Sequence, residues 1–214
     1  MKKFFLVFGF VLISTAVFAA IPVKLTIAQG PADLVNFNKV TVFGPSGQIK
    51  VCVEAVCTVQ IPAGTKLTLT ANGSLPNTDF FRWTKATGSA ASCALSTNHQ
   101  CTFTITQETQ AEAAFKRVRN LKVQLGEGDG KIVVKRGHQV LFECTNRAPL
   151  ACSTGVFEGD RFRIEAIALN LSQFQKFTQQ TGNMTVCTGQ GATFFCEFSI
   201  TQDSSLVANF IPIP

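Results

Sequence analysis

The sequence predicts a mainly β protein of two tandem, small, disulfide-stapled β-rich repeat domains, β-grasp-like or small-β-sandwich-like in build. Three observations predict it. The chain repeats itself: Cys101-Thr-Phe-Thr-Ile-Thr-Gln107 returns as Cys196-Glu-Phe-Ser-Ile-Thr-Gln202, 95 residues later. Gly64, Ala71 and Phe115 return as Gly159, Ala166 and Phe210 at the same offset, and Trp83 and Cys93 as Phe177 and Cys187 at an offset of 94. The chain's 8 cysteines divide evenly between the copies. Beyond the first 20 residues its apolar positions alternate with period two, and no long segment shows the 3.6 period of a helix.

The elements follow in chain order. Met1-Lys2-Lys3, an apolar run from Phe4 to Val17 and the small residues of Phe18-Ala19-Ala20 have the layout of a secretory signal peptide. The expected organisation is therefore a signal peptide over 1–20, a first repeat domain over 21–117 and a second over 118–214. No later stretch approaches 18 apolar residues, so the mature chain is expected to carry no transmembrane segment. Lys66-Leu-Thr-Leu-Thr-Ala71 alternates, with Leu67, Leu69 and Ala71 inward, and Arg161-Phe-Arg-Ile-Glu-Ala166 repeats this with Phe162, Ile164 and Ala166. Phe103 and Ile105, like Phe198 and Ile200, form a further inward pair, and Ala113 with Phe115, and Ala208 with Phe210, close each copy on a last strand. Turns are expected at Gly44–Gly47, Pro62–Gly64 and Glu158–Asp160, with a tight glycine hairpin at Gly126–Gly130.

Each copy of about 95 residues can bury one small core and gains from covalent staples. In an exported chain cysteines are read first as disulfides. Copy one holds Cys52, Cys57, Cys93 and Cys101; copy two holds Cys144, Cys152, Cys187 and Cys196. Four cysteines allow three pairings. Proximity within hairpins favours the local ones, 52 with 57, 93 with 101, 144 with 152 and 187 with 196. Each closes a loop of roughly 6 to 10 residues, worth about 2–3 kcal/mol.

Charge and motif content argue against most chemistry. Without Lys2 and Lys3 the 19 basic residues fall to 17 against 13 acidic ones, a mild excess. Its densest cluster, Lys116-Arg117-Val118-Arg119 with Lys122 just beyond, reads as a solvated linker between the copies. No tyrosine exists and no aromatic interleaves the cluster, so nucleic acid is not an expected partner. Cys93, His99 and Cys101 are close enough to suggest zinc, but copy two has no histidine at the equivalent place. Glu127 and Asp129 are too few oxygens for calcium. No cofactor and no metal site are expected. His99 and His138 stand in non-equivalent places, and Glu54, Asp79, Glu143 and Glu165 do not repeat together as a hydrolase pair would. Trp83, the only tryptophan, is replaced by Phe177 in copy two, which suits a core position better than a sugar-stacking platform.

These residues carry a resemblance. Lys24-Leu-Thr-Ile27, the close pair Cys52 and Cys57, Gly64 to Ala71, Phe80-x-x-Trp83, Cys93 with Cys101, and Ala113-Ala-Phe115 make one pattern. It returns as Leu121-Lys-Val-Gln124, Cys144 and Cys152, Gly159 to Ala166, Phe174-x-x-Phe177, Cys187 with Cys196, and Ala208-Asn-Phe210. The pattern resembles the divergent bacterial repeat modules related to the B-repeats of internalin. Copy two departs from it at Phe177, and copy one replaces the glycine hairpin with a longer excursion from Gly30 to Gly47. The resemblance implies an extracytoplasmic β module that serves as a spacer or interaction unit, and it brings no catalytic residues.

The expectation is an exported non-enzymatic protein, periplasmic, at the cell surface or extracellular, with a structural or partner-binding role. Its partner would be an unidentified protein or glycan. A secreted carbohydrate-binding module is the alternative, and a small secreted hydrolase stands behind that.

Overall fold

The computed structural model describes residues 21–31, 33–34, 38–73, 77–145, 151–187 and 193–213. The signal peptide expected over 1–20 lies outside the described residues. Seven strands come first: β1 (Pro22–Gly30), β2 (Asn38–Gly44), β3 (Gly47–Cys52), β4 (Val56–Pro62), β5 (Lys66–Gly73), β6 (Thr78–Thr87) and β7 (Gln100–Thr104). The long β8 (Thr109–Leu125) follows. Then come β9 (Gly130–Arg136), β10 (Gln139–Thr145), β11 (Ala151–Phe157), β12 (Arg161–Ala168), β13 (Ser172–Thr181), β14 (Thr193–Ser199) and β15 (Ser204–Pro212). Among the described residues helix is confined to 3-10 turns such as Gly88–Cys93 and Gly182–Val186.

Alternation decides which face of each strand is buried, and the buried faces close two sandwiches. In the first, the sheet β3-β2-β5-β7 packs on β6-β8-β1-β4; in the second, β10-β9-β12-β14 packs on β13-β15-β8-β11. The absence of a helix packed on either sheet among the described residues makes these sandwiches, not β-grasp domains. β8 belongs to both. Its first half pairs in parallel with β1 (Leu25 opposite Thr109) and antiparallel with β6 (Phe80 opposite Phe115). Its second half pairs antiparallel with β11 (Val123 opposite Cys152) and in parallel with β15 (Leu121 opposite Ser204). The side-chain period is two, so Ala111, Ala113, Phe115, Leu121, Val123 and Leu125, all odd-numbered and all buried, face one side of β8. Both cores therefore lie against the same face of one 17-residue strand, about 55 Å long.

The inward residues expected from alternation are buried in both sandwiches: Leu67, Leu69, Phe103, Ile105 and Phe115 in the first, Phe162, Ile164, Phe198, Ile200 and Phe210 in the second. Trp83 is wholly buried, and its Nε1 donates to the Asn98 carbonyl at 2.9 Å. The disulfides are Cys52–Cys57, Cys93–Cys101, Cys144–Cys152 and Cys187–Cys196. Their placement differs from the hairpin setting expected. Cys52 ends β3 and Cys57 lies in β4, which belong to opposite sheets; Cys144 in β10 and Cys152 in β11 do the same. Cys93 and Cys187 likewise follow strands of one sheet and bond to β7 and β14 of the other. Each bond clamps two sheets where the chain crosses between them.

Two further expectations are corrected. Gly126–Gly130 is not a hairpin: it carries the chain from β8 to β9, which sit in different sheets. Only Gly128 has positive φ, at 81°. Gly130 is needed for close approach, because a Cβ there would lie 2.3 Å from the Phe210 ring. The cluster Lys116–Arg119 is not a linker either; it lies inside β8, hydrogen-bonded on both sides. The domain boundary expected after Arg117 falls within that strand.

Candidate functional site

The densest set of polar side chains lies on the outer face of β10-β9-β12-β14. The pleat places alternate residues outward, and the registers set them in rows. Val133 stands between Glu143 and Glu165, with Phe195 beyond, and Lys135, Arg163 and Glu197 make the next row. Lys135 Nζ is 2.7 Å from Glu165 Oε2, and Arg163 Nε is 2.8 Å from Glu165 Oε1. Arg161 reaches Glu197 at 2.5 Å, Lys131 reaches Glu143 at 3.3 Å and Arg136 reaches Asp160 at 3.0 Å. The Arg163 guanidinium lies 3.8 Å from the Phe195 ring centroid, a cation–π contact that shields the ring. A cleft of about 320 Å³ at this face is lined by His138, Arg161, Arg163 and Glu197.

Sequence position alone left Glu143 and Glu165 apart, yet the sheet sets them on one face, two strand spacings or about 9.5 Å apart across the sheet. They do not make a hydrolytic pair. The hydrogen bond from Lys135 comes first, and the charges of Lys135 and Arg163 add to it, so the Glu165 carboxyl is held below its ordinary value despite partial burial. A general acid needs the opposite shift. Glu143 is tied to Lys131, Glu197 to two arginines, and the side chain between the two glutamates is the buried Val133. The arrangement is a lattice of mutually neutralised charges.

The other residues singled out from sequence are dispersed. Glu54 lies at the β3–β4 corner and Asp79 in β6, where its Oδ1 accepts from Phe80 N at 2.7 Å. His99 and His138 are exposed in different sandwiches. Cys93 and Cys101 are bonded to each other, so neither thiolate is available to zinc. Asp129 accepts from Asn170 Nδ2, which fastens the crossing loop to the β12–β13 turn. Among the described residues no group of three His, Cys, Asp or Glu converges as a metal site, and no helix is long and apolar enough to cross a membrane. The outer face of the first sandwich's small sheet differs: Val51, Thr41 and Thr70 form one row, Phe43, Thr68 and Thr102 the next.

The joint between the sandwiches was hidden in the sequence. Arg117 and Arg119 share the inward parity of β8 but fall between the two cores. Arg117 pairs with Asp33 at 3.0 Å; Arg119 places Nε and Nη2 on Glu158 Oε2 at 3.0 and 2.7 Å. On the opposite face Phe81 of β6 meets Phe157 of β11 edge-on at 5.5 Å, with Lys116 Nζ over the Phe81 ring at 4.0 Å. Gly155 leaves room there for Val118, whose Cγ1 would be 2.8 Å from an added Cβ. The one available signal was that the odd-numbered apolar series of 111–115 resumes in the same parity at 121–125, with only Arg117 and Arg119 between.

Fold and faces together define a disulfide-stapled tandem β-sandwich protein with a shared strand. No family model and no curated relative matches the chain. Similar solved structures include the Bacillus anthracis TIE protein, at 8% identity over 89% of this chain and 34% of that one, with a TM-score of 0.31. The chain thus spans about a third of that protein's length. The minor pilin of Streptococcus agalactiae aligns at 7% identity over 90% of this chain and 98% of its own, TM-score 0.31. A shaft pilin of Lactobacillus rhamnosus GG aligns at 5% identity over 90% and 99%, TM-score 0.29. Overlaps this loose carry no argument about fold or function.

Proposed function

We propose that this chain is an exported, non-enzymatic structural or partner-binding protein of two tandem β repeats, acting at the cell envelope or outside the cell. The observation that carries the reading is the shared β8. A strand common to two cores, pinned on one face by Arg117–Asp33 and Arg119–Glu158 and on the other by Phe81–Phe157, suits a protein that holds two surfaces at a fixed spacing. The repeat reading rests on the 95-residue offset and on matching strand order, β3-β2-β5-β7 against β10-β9-β12-β14. Kinship with the internalin B-repeat modules is part of the same proposal. Export is supported by the four disulfides, which persist in oxidising compartments. The carbohydrate-binding alternative loses its main residue, since the indole of Trp83 is buried.

The test is a hydrolysis panel of glycosides, esters and peptides with the mature, oxidised chain. No turnover is expected, and Glu165→Gln and His138→Ala should change nothing. Turnover that either substitution abolishes, with circular dichroism unchanged, would overturn the reading.

A further inference from the structure

The positive charge of the chain is concentrated on one face. Even-numbered residues of β8 point away from both cores, and the strands beside it add their own outward residues, so the two sandwiches share one continuous outer surface. The registers place on it Lys116 and Lys122 of β8, Arg82 opposite Ala114 and Lys85 opposite Glu112. Lys24 of β1 joins them at one end, and Lys176 of β13, opposite Asn209, at the other. Against these cations the same strands present only Asp79 and Glu112. Everywhere else among the described residues acidic side chains outnumber basic ones by one, so the whole excess lies here.

Pairing sets this face apart as well. On β10-β9-β12-β14 each of Lys131, Lys135, Arg136, Arg161 and Arg163 meets a carboxylate. Here Lys24 alone has one, Glu108 at 3.9 Å, and Arg82, Lys85, Lys116, Lys122 and Lys176 make no ion pair among the described residues. Asp79 turns to the backbone, accepting from Phe80 N at 2.7 Å, and Asp203 at the rim accepts from Asn120 N at 2.9 Å. Unneutralised like charges on one sheet repel, and an anion that bridges them removes that repulsion.

The layout selects the kind of anion. The cations run from Lys24, level with Thr109, to Lys176, level with Leu125, along the roughly 55 Å of β8, which only a polymer can follow. No ring is open for a base to stack on: Phe81 has Lys116 Nζ over it at 4.0 Å and Arg82 at 5.0 Å, and Phe157 meets it edge-on. Of the exposed large apolar side chains only Val56, at the β4 margin, lies on this face, too few for seating in a bilayer.

We infer that the outer face of the shared sheet binds a linear acidic polysaccharide laid along β8, its anionic groups meeting the row of cations from Lys24 to Lys176. Each contact is an exposed ion pair and weak alone, so affinity comes from their number along one chain. This deepens the structural reading by naming a partner and rests on it.

The test is titration of the mature, oxidised chain with alginate, a linear polyuronate, with neutral dextran as the control that should not bind. Binding at about 50 mM salt should weaken at least tenfold by about 200 mM. An alginate disaccharide, too short to bridge the row, should bind at least about tenfold more weakly than the polymer. The triple substitution Lys85→Gln, Lys122→Gln and Lys176→Gln should weaken polymer binding about tenfold. Lys39→Gln, Lys50→Gln and Lys66→Gln together remove the same charge away from this face and should change it less than about twofold. Circular dichroism unchanged in both triples shows that the fold is kept. Equal losses from the two triples would mean attraction by net charge alone and would overturn the inference. Absence of alginate binding would overturn it too, and binding of phosphatidylglycerol vesicles or single-stranded DNA in its place would assign the face to a bilayer or a nucleic acid. Neither result touches the structural reading, which falls instead if the chain cleaves the alginate.

Discussion

Replacing Trp83 by phenylalanine, the residue that stands at the equivalent place in the second sandwich, has a consequence that can be worked out from its surroundings. The indole is wholly buried, 5.4 Å from the Phe80 ring centroid, and donates to a carbonyl on the exposed Asn98. Phenylalanine keeps the contact with Phe80 and loses the second ring, equivalent to two or three buried methylenes at about 0.8 kcal/mol each. Water can reach the Asn98 carbonyl, so the lost hydrogen bond adds little. The expected loss is about 2 kcal/mol. If the two sandwiches unfold as one unit, this lowers Tm by about 4–8 °C; a first sandwich that unfolds alone would lose about 8–16 °C. Scanning calorimetry of the oxidised chain reads both the shift and the number of transitions. A shift below about 1 °C accompanied by loss of glycan binding would refute the reasoning, because it would place the indole at a working surface.

Three further outcomes are expected. Gly130→Ala should cost about 1–3 kcal/mol or more in a denaturant titration, since the new Cβ meets the fully packed Phe210 ring; Gly64→Ala, with φ of +86° and open space around it, should cost only about 1–2 kcal/mol of backbone strain. Glu165 has a depressed folded-state pKa, so its contribution is present above the ordinary value of 4.5 and is lost as pH falls below it; Glu165→Gln should lower stability near neutrality and flatten the profile in that acid range, so that the difference from the unsubstituted chain shrinks as pH falls. Removing the Cys52–Cys57 clamp with paired alanines should cost about 2 kcal/mol by denaturant titration, with the strand content kept by circular dichroism.

Alternation made the strands legible, because Leu67, Leu69, Phe162 and Ile164 each sit one residue from a polar neighbour and could face only one way. Glycine, proline and aspartate marked where strands end. What they could not mark is which sheet the chain enters next. Gly126–Gly130 crosses between sheets and the turn at Gly137 returns within one, a difference that glycine content does not encode; at the crossing the Phe210 ring lies close against Gly130. The cysteines were read correctly as neighbours in sequence but placed in hairpins, because proximity along the chain carries no information about the sheet on either side. The charged face needed strand register to bring Glu143 and Glu165 to either side of Val133. The joint was the least legible part: a run of four residues containing three cations reads as solvated linker until Asp33 and Glu158, distant in sequence, are seen to hold the arginines.

The measurement that tests the central claim most directly is a set of residual dipolar couplings from the mature, oxidised chain. A shared β8 with its joint intact predicts that the backbone couplings of 22–115 and 121–212 fit a single alignment tensor. Neutralising the joint with Arg117→Ala and Arg119→Ala should begin to separate the fits. Two independent tensors in the unsubstituted chain would contradict the account, since the two sandwiches would then be beads on a flexible connection and not one rigid body.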